Sequence, residues 1–207
     1  MKQFNKNDIK TLKDIMLLRR DVRGNRFLKK KIDDKILDEI LTAANSAPSV
    51  GFSQPWKFVI VKSKDKRNKI YKEFEKENNK AKKIFNDSEI YPKLKLEGIK
   101  ESYINLAVLY EKPKRKILGQ TTQKKMGEYS VVCAIENFWL MARAYNIGVG
   151  WISILKPKKV KKILGIGKEY KLIAYLAIGY VDKFLEEPEL LKIEWEKKKS
   201  LKDIKTL

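Results

Sequence analysis

The sequence predicts a sheet protein of the α/β or α+β class, with helices on both faces of the sheet. Two observations carry that expectation. Segments with helical spacing of apolar residues alternate along the chain with short apolar runs rich in β-branched and aromatic residues. The 43% apolar content of the 207 residues can fill one substantial core, and no repeat or Gly/Ser/Pro-rich linker divides it.

Residues 8–19 place Ile9, Leu12, Ile15 and Met16 at helical spacing, with Asn7 or Asp8 as the N-cap. A second helix runs from Asp33 to Asn45, with Ile36, Leu37, Ile40 and Leu41 on one face. It stops at SAPSVG, where proline and glycine cannot continue it. KFVIVK (57–62) is a short buried strand, 65–86 a long polar helix, 92–102 a shorter helix or loop-helix, and INLAVLY (104–110) a second strand. The stretch 111–129 has weak periodicity and many polar residues, and reads as a mobile excursion or lid. From Ser130 to Asn146 runs the most apolar helix, carrying Val131, Val132, Ile135, Phe138, Trp139 and Ala142; it is expected to be buried on more than one side. GVGWISIL (148–155) is a strand, 156–165 a helix and 170–181 a long strand. The tail, 182–207, is polar with isolated anchors at Phe184, Leu190, Ile193 and Trp195, so it is expected to wrap along another surface such as a partner subunit.

The chain has no histidine, which removes His-based triads and the usual zinc sites. Proton transfer is left to Asp, Glu, Tyr, Lys, water or a cofactor. One cysteine, Cys133, excludes an internal disulfide, and its apolar neighbours predict a buried structural thiol. No apolar run approaches the roughly 20 residues that span a bilayer. The N-terminus, MKQFNKNDIK, lacks a signal-peptide stretch, so a cytoplasmic protein with no membrane partner and no metal is expected. The formal charge of +21 raises the question of nucleic acid. The basic runs are scattered and none alternates with aromatics as a base-stacking platform would, so no nucleic-acid partner is expected.

Three segments stand out as carriers of chemistry. RRDVR (19–23) lies just past the first helix. Arg19 and Arg23, with Arg20 between, either converge on a phosphate or form a basic helix end favoured by the macrodipole. Asp21 either relieves repulsion between these guanidiniums as a salt-bridge partner or serves the reaction. In AANSAPSVGFSQPWKFVIV (43–61) a helix ends at Pro48, and a small-residue turn offers the N–H groups and hydroxyls of Ser49, Val50, Gly51 and Ser53 to a flat cofactor or a phosphate. An ordinary helix-to-strand turn anchored by Trp56 accounts for the same residues. In NIGVGWISIL (146–155) Gly148 and Gly150 precede a strand, the wrong order for a dinucleotide fingerprint, and Ser153 reads as a buried hydroxyl bonded to backbone.

Together, RRDVR, APSVGFSQPW (47–56) and GVGWISIL, in this order along essentially the whole chain, resemble the flavin-binding nitroreductase superfamily. Ordinary members carry serine where this chain has Asp21, and APSS-x-N where it has APSVGF. With RRDVRGNRF (19–27), LKLEGI (94–99) and EYSVVCAIENFWLMAR (128–143), the chain is similar instead to the flavin-destructase branch, the 5,6-dimethylbenzimidazole synthases. The resemblance implies an α+β nitroreductase-like fold with a mixed central sheet, and an intertwined homodimer with FMN at the subunit interface. It implies fragmentation of reduced FMN with O2 to 5,6-dimethylbenzimidazole, the lower ligand of cobalamin, and erythrose 4-phosphate, with NAD(P)H a candidate electron source.

The resemblance also points to Asp21 and Ser153 as catalytic positions. Arg19, Arg20 and Arg23 would hold the phosphate end beside Asp21 and Val22, and Pro48, Ser49 and Val50 would line the flavin. Lys198, beyond Trp195, is the candidate for a C-terminal phosphate contact that relatives supply through arginine. Ringed by arginines, Asp21 is expected to have its pKa lowered by ~1–3 units and to act as a base toward the ribityl chain. The 111–129 excursion would then exclude water as a lid. The alternative is an NAD(P)H-dependent nitroreductase or flavin reductase that retains its FMN, which Asp21 and the Gly51-Phe52 pair argue against.

Overall fold

Four strands form the centre of the molecule: β1 (Trp56–Val61), β2 (Ile104–Glu111), β3 (Ile147–Trp151) and β4 (Tyr170–Tyr180). They lie in the order β1-β2-β4-β3. The structure, a computed structural model, describes residues 2–205. All three strand pairings are antiparallel, so the sheet expected to be mixed is antiparallel throughout its named strands. Its parallel element is reduced to an isolated bridge between Asp21 and Val149, because the segment that joins there is too short to form a strand.

Alternation along β2 sends Ile104, Leu106, Val108 and Tyr110 into one core and Ala107 and Leu109 into the other. Both faces are therefore covered. Helices α2 (Asp34–Asn45) and α4 (Met126–Ala144) pack on the first face through residues such as Ile40, Ile135 and Phe138. Helices α3 (Lys64–Ile84) and α5 (Pro157–Leu164) cover the second through Ile70, Phe74 and Val160. Each fully buried aliphatic or aromatic side chain here is worth about 1.5–3 kcal/mol of transfer free energy. A register shift sets Val108 opposite Ala174 but Leu109 opposite Leu172, so Ile173 bulges from β4.

Capping chemistry fixes the helix starts. Asp33 accepts a hydrogen bond from the Lys35 N–H at 2.8 Å and opens α2. Helix α1 (Lys6–Leu18) is capped by Asn5 in a capping box with Asp8, two residues earlier than the expected Asn7 or three before Asp8. None of its residues is buried, and Ile9, Leu12, Met16 and Leu17 all face outward.

Several other expectations change. Residues 92–102 do not form a helix; a single 3₁₀ turn at Tyr91–Lys93 leads into irregular chain. The reason is a tertiary contact. The buried Arg67 guanidinium of α3 donates to the carbonyls of Ile99 at 2.9 and 2.6 Å, Tyr103 at 2.9 Å and Lys100 at 3.1 Å, and also to that of Ser102. These are the carbonyls that lead into β2, so the guanidinium ties the end of the irregular segment to α3. Ser102, Asn105 and Tyr175 extend this network across the sheet, with Asn105 donating to Ser102 Oγ at 2.7 Å and accepting from the Tyr175 hydroxyl at 2.9 Å.

Helix α4 begins at Met126, so the excursion expected over 111–129 is shorter by several residues. One face of that helix is open, with Tyr129, Val132 and Cys133 exposed. The expected buried thiol is therefore a surface thiol, because position 133 shares its helical face with Tyr129 and Glu136 rather than with Ile135. Strand β3 ends at Trp151, which leaves Ser153 outside it.

The tail forms two short helices, α6 (Glu189–Lys192) and α7 (Leu201–Ile204). It packs on the chain's own surface. Trp195 meets Phe85 and Tyr91 with ring centroids 5.6 and 6.2 Å away, and Phe184 lies under the Arg143 guanidinium at 4.0 Å.

Candidate active site

The glycine pair in GVG makes room for the chain itself. The Val22 N–H donates to the Val149 carbonyl at 3.0 Å, laying residues 21–22 along the free edge of β3. A Cβ at position 150 would collide with the Val22 carbonyl oxygen, and one at 148 with the side chains of Val181 and Val22. Only glycine admits this close approach. From the other side, the Gly24 N–H donates to the Glu97 carbonyl at 2.8 Å, in the loop that Arg67 grips.

Asp21 is held at both oxygens. Oδ1 accepts from the Trp151 N–H at 3.0 Å, and Oδ2 pairs with the Arg23 guanidinium. The expected depression of its pKa does not occur. Its side chain keeps 35% of its surface exposed. Even so, burial against the edge of β3 pushes the carboxyl up, and this outweighs the opposing pull of Arg23, the Trp151 N–H and Arg19. Glu189 of the tail adds to the upward shift. A raised pKa brings the group nearer to the range of an effective general base.

The three arginines do not converge. Arg23 is committed to Asp21 and donates to the Trp151 carbonyl at 3.3 Å. Arg19 lies over the Trp139 ring at 4.9 Å and reaches Glu136 only at 3.9 Å, so it is loosely held. Arg20 donates to the carbonyls of Leu17 at 2.8 Å and Arg19 at 2.7 Å, and to that of Glu186 in the tail. Arg143, which the sequence reading passed over, donates to the Leu18 carbonyl at 3.0 Å. These two arginines cap the end of α1, where the helix dipole is negative.

Arg20 nevertheless meets only neutral carbonyls, its Nε is buried without a partner, and among the described residues no carboxylate pairs with it. Burial pushes the Arg143 guanidinium down, and the nearby charge of Arg20 adds to that shift. A phosphate here would take the place of one of those carbonyls on Arg20, since the remaining Nε is buried.

Ser153 is exposed, two residues beyond Trp151, and its carbonyl accepts from the Leu155 N–H at 2.8 Å. The expected buried hydroxyl is not found. Two residues span at most about 7 Å, so Ser153 and Asp21 share the end of β3.

The APSVGF turn uses its own donors. The N–H groups of Val50, Phe52, Ser53 and Gln54 go to Ser130 Oγ, the Ser49 carbonyl, the Val50 carbonyl and Ser49 Oγ, at 3.0–3.1 Å. Of the donors expected there, the amides of Val50 and Ser53 are thus spent, and Ser53 Oγ is buried without a partner. The turn presents surface instead, with Phe52 84% exposed. Gly51 has φ +54°, and a Cβ there would stand 2.7 Å from the Leu118 carbonyl oxygen, so the 112–125 excursion rests directly on this turn. Pro48 precedes it, at the end of α2.

Helix α4 links the two halves of the site. Ser130 receives Val50, whereas Glu136 and Trp139 receive Arg19. Six to nine residues of helix separate them, about 9–14 Å. Lys198 is exposed and borders the same surface groove as Arg20 and Leu17, a groove that Glu186, Glu187 and Glu196 also line.

Residues 17–180 match the model of the nitroreductase family. The chain is 39% identical to the 5,6-dimethylbenzimidazole synthase of Rhodospirillum rubrum over 87% of either protein. In fold it is similar to a BluB-like flavoprotein from Clostridium difficile 630, with a TM-score of 0.71 and 23% identity, covering 95% of this chain and 98% of that one. It is also similar to iodotyrosine deiodinase bound to FMN and 3-iodo-L-tyrosine, with a TM-score of 0.70 and 24% identity over 85% of this chain and 92% of that one. From the glycine-cradled aspartate at the edge of β3 to the match across its sheet and helices, the chain belongs to the nitroreductase family.

Proposed function

We propose that this protein is a 5,6-dimethylbenzimidazole synthase, converting reduced FMN and O2 to 5,6-dimethylbenzimidazole and erythrose 4-phosphate. The observation that carries the reading is a carboxylate, Asp21, fixed at the edge of β3 beside an arginine pair whose charge is unmet, in a chain 39% identical to such a synthase. Reduced FMN supplies both the electrons for oxygen and the carbon skeleton of the product. Arg20, Arg19 and Lys198 are the residues to hold its phosphate, with Arg143 adding charge from behind; Val22, Pro48, Ser49 and Val50 would lie along the rest.

Asp21 is oriented by Trp151 and Arg23, and each carboxylate oxygen retains a second lone pair. It is placed to take a proton from the ribityl chain, with Ser153 orienting that chain from the same strand end. The excursion seated on Gly51 is the element to exclude water.

The protein works as a homodimer in this reading. Helix α1 exposes Ile9, Leu12, Met16 and Leu17, and adjoining α4 exposes Tyr129 and Val132. Apolar side chains left open on two helices suit burial against a second copy. Among the described residues no helix is long and apolar enough to cross a membrane, which accords with a cytoplasmic enzyme.

Supplying excess reduced FMN in air and identifying the products by mass spectrometry tests the activity. Dimethylbenzimidazole is the expected product. Recovery of oxidised FMN alone, which free reduced FMN also gives in air, would overturn the reading, and NAD(P)H-dependent reduction of added oxidised FMN, assayed separately, would identify a reductase and its electron donor. Sedimentation analysis, expected to give a dimer, tests the assembly separately.

A further inference from the structure

A groove of about 1010 Å³ lies between α5 and the start of β4, away from Asp21. Pro157, Ile166, Tyr170 and Leu172 give it an apolar floor, and eight lysines rim it. Three of these are engaged: Lys156 with Glu77 at 3.4 Å, Lys171 with Glu128, and Lys161 with the Tyr170 carbonyl. The other five, Lys112, Lys158, Lys159, Lys162 and Lys168, form no ion pair among the described residues and are exposed.

The concentration is local and not a reflection of net charge alone. Residues 156–171 hold seven lysines and one carboxylate, Glu169. Helix α3 is as rich in lysine but intersperses Asp65, Glu73, Glu75 and Glu77, which form ion pairs such as Lys69–Asp65 at 2.8 Å. Lys158 and Lys159 also occupy the first turn of α5, where the helix dipole is already positive and no acidic residue or side-chain cap offsets it. Their charges therefore oppose the helix that carries them.

We propose that this groove docks an acidic, amphipathic segment of a partner protein, with apolar side chains on the floor and carboxylates against the lysine rim. The chemistry separates this occupant from others. Phosphate-rich ligands are gripped most specifically by planar arginine forks, of which the groove lines none, and the competitors in the test represent them. A base-stacking surface needs a free aromatic face, but the Tyr170 ring is covered by Lys57 at 5.1 Å. A bilayer meets a convex or flat face, whereas this one is concave. The docking site is independent of the proposed reaction, and its neighbour is the excursion, since Lys112 lines both this groove and the one under residues 113–120.

The test measures binding of a fluorescein-labelled helical peptide of glutamates with leucine at every third or fourth position, by anisotropy at physiological salt. Competitors are a leucine-free peptide of equal charge, oligo-dT and vesicles of anionic lipid. The triple variant K158E/K159E/K162E is compared with K66E/K72E/K76E, which changes net charge equally on exposed positions of α3. Glutamate at 158 and 159 suits the positive end of the α5 dipole and offsets the unfavourable one at 162 in the last turn, so the fold survives. The groove variant is expected to bind about tenfold or more weakly and the α3 variant within about threefold of the parent. The leucine-free peptide is expected to bind less well than the amphipathic one. Absence of peptide binding, equal weakening by both variants, equal binding of both peptides, or stronger groove-dependent binding of oligo-dT or vesicles would each overturn the proposal.

Discussion

Two glycine-bearing segments, GVG at 148–150 and VGF at 50–52, use glycine for different physical ends. At 150 the backbone is an ordinary strand, and what matters is the missing Cβ, which lets Val22 and Asp21 pack against β3. At 51 the backbone itself is unusual, with φ +54° at Gly51, 51° at Phe52 and 44° at Gln54. There the absent side chain also lets Leu118 of the excursion approach. The first arrangement fixes a carboxylate against the sheet, whereas the second sets left-handed backbone beneath a loop. Nearness to a ligand, the usual reason offered for glycines in such motifs, is not needed to account for either.

Gly150→Ala is the strongest way to break this contrast. The collision with the Val22 carbonyl should expel residues 21–22, cost about 3 kcal/mol or more in denaturant unfolding, and abolish product formation. Asp21→Asn should separate placement from charge. Product formation should fall about 10²–10⁴-fold while the melting temperature holds or rises. The sign follows from the upward pKa shift. The ionised carboxylate opposes folding, a penalty absent below the unfolded-state pKa and growing as pH rises through the folded one. The variant should therefore match the parent in acid and equal or exceed it at neutral pH, as thermal melts across pH will show.

Gly51→Ala should cost about 1–2 kcal/mol and make residues 112–125 the first site of limited proteolysis. Gly165→Ala sharpens the point. That residue has φ +75° at the end of α5 but nothing within 4 Å of a Cβ. It should lose only the backbone term, about 1 kcal/mol, with product formation unchanged.

Strongly periodic segments were legible from sequence: α2 and β2 match the expected spans within a residue or so, since their apolar spacing and caps are local properties. The irregular chain at 94–103 was not, since it is held by tertiary contacts, its end by Arg67 more than thirty residues earlier and its middle by the Gly24 N–H on the Glu97 carbonyl. Cys133 was half legible; its apolar neighbours suggested burial, but Glu136 one turn later already marked that face as open. The order and identity of RRDVR, APSVGF and GVG announced the family, while their contacts remained hidden. Counting arginines near Asp21 suggests a depressed pKa, yet the water excluded by the edge of β3 is a tertiary effect. Arg143 carried only the weak signal of a basic residue in a last helical turn, and the commitment of Arg20 to the end of α1 needed the tail to be placed.

Arg67 gives the site an anchorage of a particular kind. A guanidinium keeps its proton at any pH the fold survives, and peptide carbonyls have none to lose. The clamp of Arg67 on residues 99–103 accordingly keeps its charge in acid, while the Glu97 and Glu101 carboxylates bonded to the same loop do not. Asp21 can gain or release a proton while that guanidinium stays charged.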